Sequence, residues 1–345
     1  MSGGVDSSVA AALLAEQGHD VIGLSMQLYD QSGAQSFGSC CTLDDLHDAR
    51  RVASALGFPH YILNLERQFA DTVIANFVNE YVSGRTPLPC AHCNSELKFS
   101  TLVERARGLG AQHVATGHYA RVEQTPDGRW LLRRSRDLDK DQSYFLFSLT
   151  QDQLARAVFP VGSLTKPAVR AEARRLGLRV ADKADSQEIC FVPDDDYASF
   201  VETRAPSVRS GAIVDTRGET LATHAGVHKF TVGQRKGLGV AAPTPLYVLK
   251  IDADSGDVMV GPRSALDRST FTASRVNWIS REAPPGWSAA TVQIRHRQRA
   301  APGRVRAIDS GRAELEFDTP QPAVTPGQAA VFYDNDIVVG GGWID

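Results

Sequence analysis

Cysteine is scarce in this chain, five residues in 345. Cys40, Cys41, Cys90, Cys93 and Cys190 are too unevenly spaced for the disulfide framework of a small secreted domain. In a reducing compartment such residues are catalytic, metal-binding or incidental to a core. Cys90 and Cys93 form a C-x-x-C pair, but no second pair and no spaced histidines follow, so the four ligands of a structural zinc site are not in the pattern and no metal ligand is assigned here. The sequence also lacks a run of 18 apolar residues and a basic-then-apolar start, so the expectation is a cytoplasmic chain with no membrane association. Apolar residues at 42% and charged residues at 22% exclude a disordered composition. Net charge is only −3, which argues weakly against a nucleic-acid partner. The average hides a split, because residues 1 to 90 hold ten acids against four Lys/Arg, while basic residues gather later, and phosphates feel local clusters.

What is present begins at once. Met1-Ser2-Gly3-Gly4-Val5-Asp6-Ser7-Ser8 runs straight into an apolar, helix-like segment. Two glycines permit a tight turn and close approach to a ligand, and the hydroxyls and amides after them sit where a helix start presents unpaired N–H groups, a site suited to polyphosphate. A capped helix after a surface turn is the plainer reading of a lone Gly-Gly. The full string is more specific and resembles the pyrophosphatase-type loop of ATP-dependent adenylating enzymes. That resemblance puts Ser2, Gly3, Gly4, Val5, Asp6, Ser7 and Ser8 around the phosphates and gives Asp6 a part in holding Mg²⁺. The Gly-Lys-Ser/Thr of a Walker loop is missing, which weighs against γ-phosphoryl transfer.

The chain then alternates. A first helix stops at Gly18, Val21–Met26 reads as a strand, and Thr42 opens a helix with Leu46, Ala49, Val52, Ala53 and Leu56 on one face and Gly57 at its end. Tyr61–Leu65 and His113–His118 read as further strands, and Thr165 opens a helix closed by Gly177. This is the pattern of a parallel sheet, whose ligands gather beyond the carboxyl ends of its strands, placing Met26, Gly117 and His118 on the edge that carries the first loop. After about Pro193, short β-rich runs between turn residues predict small antiparallel sheets or a barrel. The expected domains are 1–193, 194–269 and 270–345.

Two thiols stand out. Asn94 reads as an N-cap, which would set Cys93 at a helix start, where the dipole lowers a thiol pKa. Cys190 lies between Ile189 and Phe191 and reads equally well as reactive or as buried. Later, Lys229, Arg235, Lys236, Arg295, Arg297, Arg304 and Arg306 concentrate positive charge, suited to phosphate contact rather than to a merely solvated face.

Six motifs in order, the first loop, Thr86-Pro87 to Cys93-Asn94, Ala115–Ala120, Asp141–Leu146, Ser186–Phe191 and Gly233–Gly239, make the chain resemble the bacterial tRNA-specific 2-thiouridylases over essentially its whole length. The resemblance implies an α/β fold: a Rossmann-like parallel-sheet N-terminal domain of the adenine nucleotide alpha hydrolase type, then two small β-rich domains, the last a β-barrel. It implies adenylation by ATP, with Mg²⁺, of the C2 oxygen of the anticodon wobble uridine. Sulfur then comes from a sulfur-relay or cysteine desulfurase persulfide donor through Cys190, with Cys93 as its partner. Either the Cys190 persulfide attacks C2 and Cys93 resolves the link, or Cys93 first releases hydrosulfide; both routes end in a Cys93–Cys190 disulfide. Cys40 and Cys41 have no part in it. Met26 and Gly117 are implied at ATP, and Leu88, Pro89, Cys90, His118, Lys140, Asp141, Gln142, Lys229, Arg235, Lys236, Arg295, His296 and Gln328 at tRNA. Leu88 stands where the family commonly has Asn. The family also carries a strand before the loop, so the expectation is a native start about five to twelve residues upstream, with a β-branched apolar run. Two rivals are a GMP synthetase-like amidating ligase, which needs neither separated cysteines nor a basic β domain, and a non-catalytic tRNA-binding protein.

Overall fold

A computed structural model describes residues 1–29, 42–184 and 189–345. Cys40 and Cys41 lie outside the described residues, as do Ser186, Gln187 and Glu188 of the motif before Cys190. The chain forms two compact units, one of residues 1–73, 90–196 and 336–338, the other of residues 74–89, 197–335 and 339–345.

In the first unit, the helix Val5–Glu16 buries Val5, Val9, Ala10 and Ala12 against Val52 and against Val169 and Ala173 of the helix Lys166–Arg175. Local chemistry fixes its neighbours. Thr42 caps the helix Leu43–Leu56 in a reciprocal box with Asp45, and Gly57 ends it in the left-handed conformation. Thr165 caps Lys166–Arg175, with proline in the first turn. The strands Gly23–Gln27 and His60–Asn64 pair in parallel, as do Val114–Ala115 and Ala157–Val158. Met1 lies along the first of these ladders, its amine donating to the Leu24 carbonyl while Ser25 Oγ donates to the Met1 carbonyl at 2.6 Å. An antiparallel hairpin, Ala120–Gln124 with Trp130–Arg134, follows the third parallel strand.

In the second unit, four strands lie in the order Thr220–His224, Gly211–Val214, Val258–Gly261, Tyr247–Ile251 around Ile213, Phe230, Val248 and Val258. Six more, Asp267–Trp278, Arg312–Pro322, Ala301–Ala307, Ser288–Gln293, Ala329–Asp334 and Ile337–Ile344, run in that order and close, the last pairing with the first. Inward Ala313, Leu315 and Phe317 alternate with outward acids and fill this barrel with Val305 and Phe332.

Candidate active site

The helix Val5–Glu16 starts from an extended Gly4 that offers no side-chain cap, so its first N–H groups and its dipole face whatever sits at the loop. Ser2 N–H donates to Ser7 Oγ at 3.1 Å, and Ser7 and Ser8 hydroxyls donate to the Gly4 carbonyl at 3.2 and 2.9 Å, closing the turn on itself. Val5 and Ser8 are buried at 3% and 0% exposure, so they serve the loop from inside. Gly3 has φ +70°, and a Cβ there would fall 2.2 Å from the Asp45 carbonyl oxygen. At Gly117 a Cβ would fall 2.6 Å from Asp6 C and Ser7 N. These two bare backbones bracket a helix start that is free to take an anion, and this arrangement fits a polyphosphate. Met26 lies half-buried on the Gly23–Gln27 strand, opposite Leu63.

Two side chains that the motifs did not flag, Lys166 and Lys183, complete the loop together with Tyr119 of the Ala115–Ala120 motif. Lys166 Nζ donates to both Asp6 carboxylate oxygens at 2.8 Å, and Tyr119 Oη donates to Asp6 Oδ1 at 2.8 Å. Lys183 Nζ reaches the Gly3 carbonyl at 3.2 Å and Asp45 and Asp48 at 2.7 Å each. Burial alone would lower the Lys183 pKa, but its two carboxylate partners outweigh this and raise it. The one available signal was Lys166 itself, a cation at the first position of a helix, where the dipole disfavours it. Lys166 engages both Asp6 oxygens, and among the described residues no group of three or more His, Cys, Asp or Glu is placed to hold a metal, so Asp6 would hold Mg²⁺ only together with phosphate oxygens and water.

Cys93 is not at a helix start. The helix begins at Pro89–His92 and passes into a π-helical turn, Cys93–Thr101, so the orphan N–H groups belong to the residues before Cys93. Asn94, expected as an N-cap, is instead buried inside that turn, where Nδ2 donates to the Phe145 carbonyl at 3.0 Å and Oδ1 accepts from Lys98 at 3.0 Å. Cys93 is buried, Cys90 exposed and Cys190 intermediate. Phe191 anchors the chain beside Cys190, edge-on to Phe69 at 5.4 Å.

Several residues implied at tRNA hold the protein together. Buried Asp141 accepts from Arg134, Ser135 N–H and Ser143 Oγ at 3.0, 2.9 and 2.8 Å. Gln142 grips Tyr119, its Oε1 accepting from the Tyr119 N–H at 3.0 Å and its N–H donating to the Tyr119 carbonyl at 2.9 Å. Lys140, half-buried, donates its N–H to the Asp137 carbonyl at 3.2 Å. In the second unit, Gln328 Nε2 donates to the Thr86 and Pro87 carbonyls at 3.1 Å each, holding the approach to Leu88 and Pro89, both buried.

The basic cluster thins out on inspection. Arg304 pairs with Glu316 at 2.7 Å and Arg306 with Glu314 at 2.6 Å, both guanidinium groups lying over Trp287 at 4.6 and 4.7 Å. Lys229 pairs with Glu202 at 2.8 Å, and Arg295 donates to the Pro322 and Ala323 carbonyls at 2.7 and 3.0 Å. Arg235, Lys236, His296 and Arg297 are exposed.

His118 donates to or accepts from Thr116 Oγ1 at 2.8 Å and lies against Phe99 and Phe159 with ring centroids 6.3 and 6.0 Å away. Burial, then the charge of Lys98, holds its pKa well below the usual histidine range, so it is neutral at pH 7. A histidine depressed in the folded state takes up its proton first in the unfolded chain. Its contribution to stability is therefore present above the unfolded value of about 6.5 and is lost as pH falls below it. The unfolding free energy is expected to fall by up to about 1.4 kcal/mol per pH unit from this group below pH ~6.5. His118→Gln should flatten that part of the curve in urea melts at stepped pH, leaving the smaller contribution of the same sign from His60 and His228, whose pKa values burial also lowers. An unchanged slope in His118→Gln would remove the histidine from this role.

Residues 1–194 match the family profile described as "tRNA methyl transferase HUP domain", 198–262 the "tRNA methyl transferase PRC-barrel domain", and 268–344 the "Aminomethyltransferase beta-barrel domain". Over its whole length the chain is similar to proteins named tRNA-specific 2-thiouridylase MnmA. That of Geotalea uraniireducens is 54% identical over 351 residues, covering 100% of this chain and 93% of the relative. Those of Geobacter metallireducens and Acidobacterium capsulatum are each 52% identical, covering 100% of this chain and 95% and 97% of the relatives.

Proposed function

The chain belongs to the tRNA-specific 2-thiouridylase family, and on that premise we propose that it replaces the C2 oxygen of the anticodon wobble uridine of tRNA with sulfur. It is a tRNA sulfurtransferase with an ATP-binding, Rossmann-like N-terminal domain. The observation that carries the finer reading is the uncapped helix start between Gly3 and Gly117, in the same unit as Cys93 and Cys190. When bound, ATP supplies the adenylyl group that turns a poor leaving oxygen into a good one, releasing pyrophosphate. Backbone N–H groups of Val5, Asp6 and Ser7 stabilise the phosphates, while the hydroxyls of Ser2 and Ser7 hold the turn that aims them. Met26 and the Gly117 backbone flank the nucleotide. Asp6 would be the residue to hold Mg²⁺ brought in with the phosphates, where the ion would screen their charge.

Cys190, the more accessible thiol, takes the persulfide sulfur from a protein donor. Its terminal sulfur then bonds to C2 as AMP departs, and the Cys93 thiolate attacks Cys190 Sγ, breaking the Cys190–sulfur bond and leaving that sulfur on C2; or the Cys93 thiolate attacks Cys190 Sγ first, expelling the outer sulfur as hydrosulfide, which attacks C2 as AMP departs. In both routes Cys93 and Cys190 end as a disulfide, and two electrons from an external thiol reductant reset them. We assign residues 1–193 to nucleotide and thiol chemistry, and 194–269 and 270–345 to tRNA, in the cytoplasm. Asp141, Gln142 and Gln328 act at tRNA by holding the segments that meet it.

Pyrophosphate release from ATP tests this reading. It is expected only with tRNA lacking 2-thiouridine; release without tRNA would favour an amidating ligase, and no release at all a mere binder.

Phosphate contact falls to the exposed cations. Arg235→Ala, Lys236→Ala and Arg297→Ala are each expected to weaken all tRNAs alike and to flatten the log–log salt dependence of binding by about one unit per contact. Arg304→Ala and Arg306→Ala, already neutralised by Glu316 and Glu314, should leave the slope alone. Fluorescence anisotropy with labelled tRNA across salt concentrations reads both, and a reversed pattern would move the binding face to the Trp287 side of the barrel.

A further inference from the structure

Lys166 is 8% exposed and sits at the first position of its helix. Both settings work against an ammonium group, because burial strips its water and the helix dipole there is positive. Its place is nonetheless built from four chain segments. The Asp137 carboxylate accepts its backbone N–H at 2.8 Å, Thr165 caps the turn, the Tyr119 ring lies 5.8 Å below Nζ, and Asp6 receives Nζ through both oxygens. Asp6 is itself in the first turn of the helix whose uncapped start faces the nucleotide.

A lone carboxylate at that point would repel a polyphosphate. The lysine cancels it, and the pair leaves the loop neutral until a ligand arrives. Resting on the ATP reading above, we propose that Lys166 is a binding residue for the pyrophosphate portion of the nucleotide, held ready by Asp6 and transferred from carboxylate to phosphate oxygens when the nucleotide enters. Asp6 is then the competitor for the lysine, and the carboxylate is released at the moment when a cation carried by the phosphates needs an anionic neighbour. A lysine that only props Asp6 in place would make no such exchange.

The two roles separate in metal-free binding of inorganic pyrophosphate to the full chain without tRNA, measured by calorimetry. Lys166→Gln should weaken pyrophosphate about 10- to 100-fold, the range for losing a charge-assisted contact. Asp6→Asn, by removing the competitor, should tighten it, and the double variant, which loses the lysine contact but also the carboxylate's repulsion, should bind more tightly than Lys166→Gln and less tightly than Asp6→Asn. Lys166→Arg, which keeps the charge, should recover part of the loss. Equal weakening in Asp6→Asn and Lys166→Gln would overturn the proposal in favour of a mutual prop. Should Lys166→Gln lose its cooperative melting transition, Asp6→Asn alone decides, with tighter binding supporting the exchange and weaker binding overturning it. A wild-type chain that binds pyrophosphate but releases none from ATP with unmodified tRNA would sink the thiouridylase reading while leaving this one intact.

Discussion

Cys190→Ser is expected to lose 2-thiouridine formation by at least about 10³-fold, the scale for removing a nucleophile that forms a covalent intermediate, while still releasing pyrophosphate in the presence of tRNA. A serine hydroxyl cannot accept sulfur from a persulfide, whereas adenylation depends on the Ser2–Ser8 loop and comes earlier. Loss of sulfur transfer without loss of activation is therefore the signature. Folding should be little changed, because the anchoring in this stretch comes from Phe191 and Val192, 2% and 1% exposed, and not from the half-exposed thiol. Cys93→Ser should match it in product loss, yet with a structural cost, since Cys93 is buried and a hydroxyl in its place needs a hydrogen-bond partner. Cys90→Ser, on an exposed thiol, should thiolate normally. Digested tRNA analysed by mass spectrometry, alongside pyrophosphate counted from the same reactions, reads all three. Wild-type thiolation in Cys190→Ser would end the persulfide mechanism proposed for this chain.

How legible the molecule was depends on how far apart the deciding residues are. The helix from Thr42 to Gly57 was readable because its cap, its apolar face and its left-handed end all lie within one turn of where they act. Asn94 misled because a good local cap lost to Pro89, which starts a helix earlier and carries Asn94 into a buried turn. The hairpin at 120–134 escaped notice although Pro126-Asp127-Gly128 is a turn signal and Ala120-Arg121-Val122-Glu123 alternates, because its second strand, Trp130-Leu131-Leu132-Arg133-Arg134, runs apolar and then basic. The charge run at 295–306 looked like a phosphate surface until the strand register set Arg304 opposite Glu316 and Arg306 opposite Glu314. The alternation of Glu314-Leu315-Glu316 held that information, but only for a reader who knew the pairing. Lys166 and Lys183 meet Asp6 and Gly3 across 160 and 180 residues, a distance over which no spacing rule speaks.

Gly3→Ala is expected to cost about 2–5 kcal/mol of folding stability, the sum of about 1–2 for a left-handed non-glycine residue and about 1–3 for an overpacked contact, and to abolish measurable nucleotide binding. The added methyl would sit 2.2 Å from the Asp45 carbonyl oxygen and 2.6 Å from its Cα. Asp45 cannot yield. Its side chain completes the Thr42 cap and takes Lys183 at 2.7 Å, and Lys183 in turn holds the Gly3 carbonyl at 3.2 Å. The loop must therefore lift off the helix Leu43–Leu56, moving the Val5–Ser7 N–H groups away from the phosphates they serve. Gly57→Ala supplies the control, because Gly57 has φ +79° but nothing within 4 Å of a new Cβ, so it carries the backbone strain without the collision. The difference between the two variants in urea melts isolates the Asp45 contact, and nucleotide binding should survive in Gly57→Ala. Equal stability loss in both, with nucleotide binding intact in Gly3→Ala, would show that the loop can part from Asp45 without consequence and that the phosphates are held elsewhere.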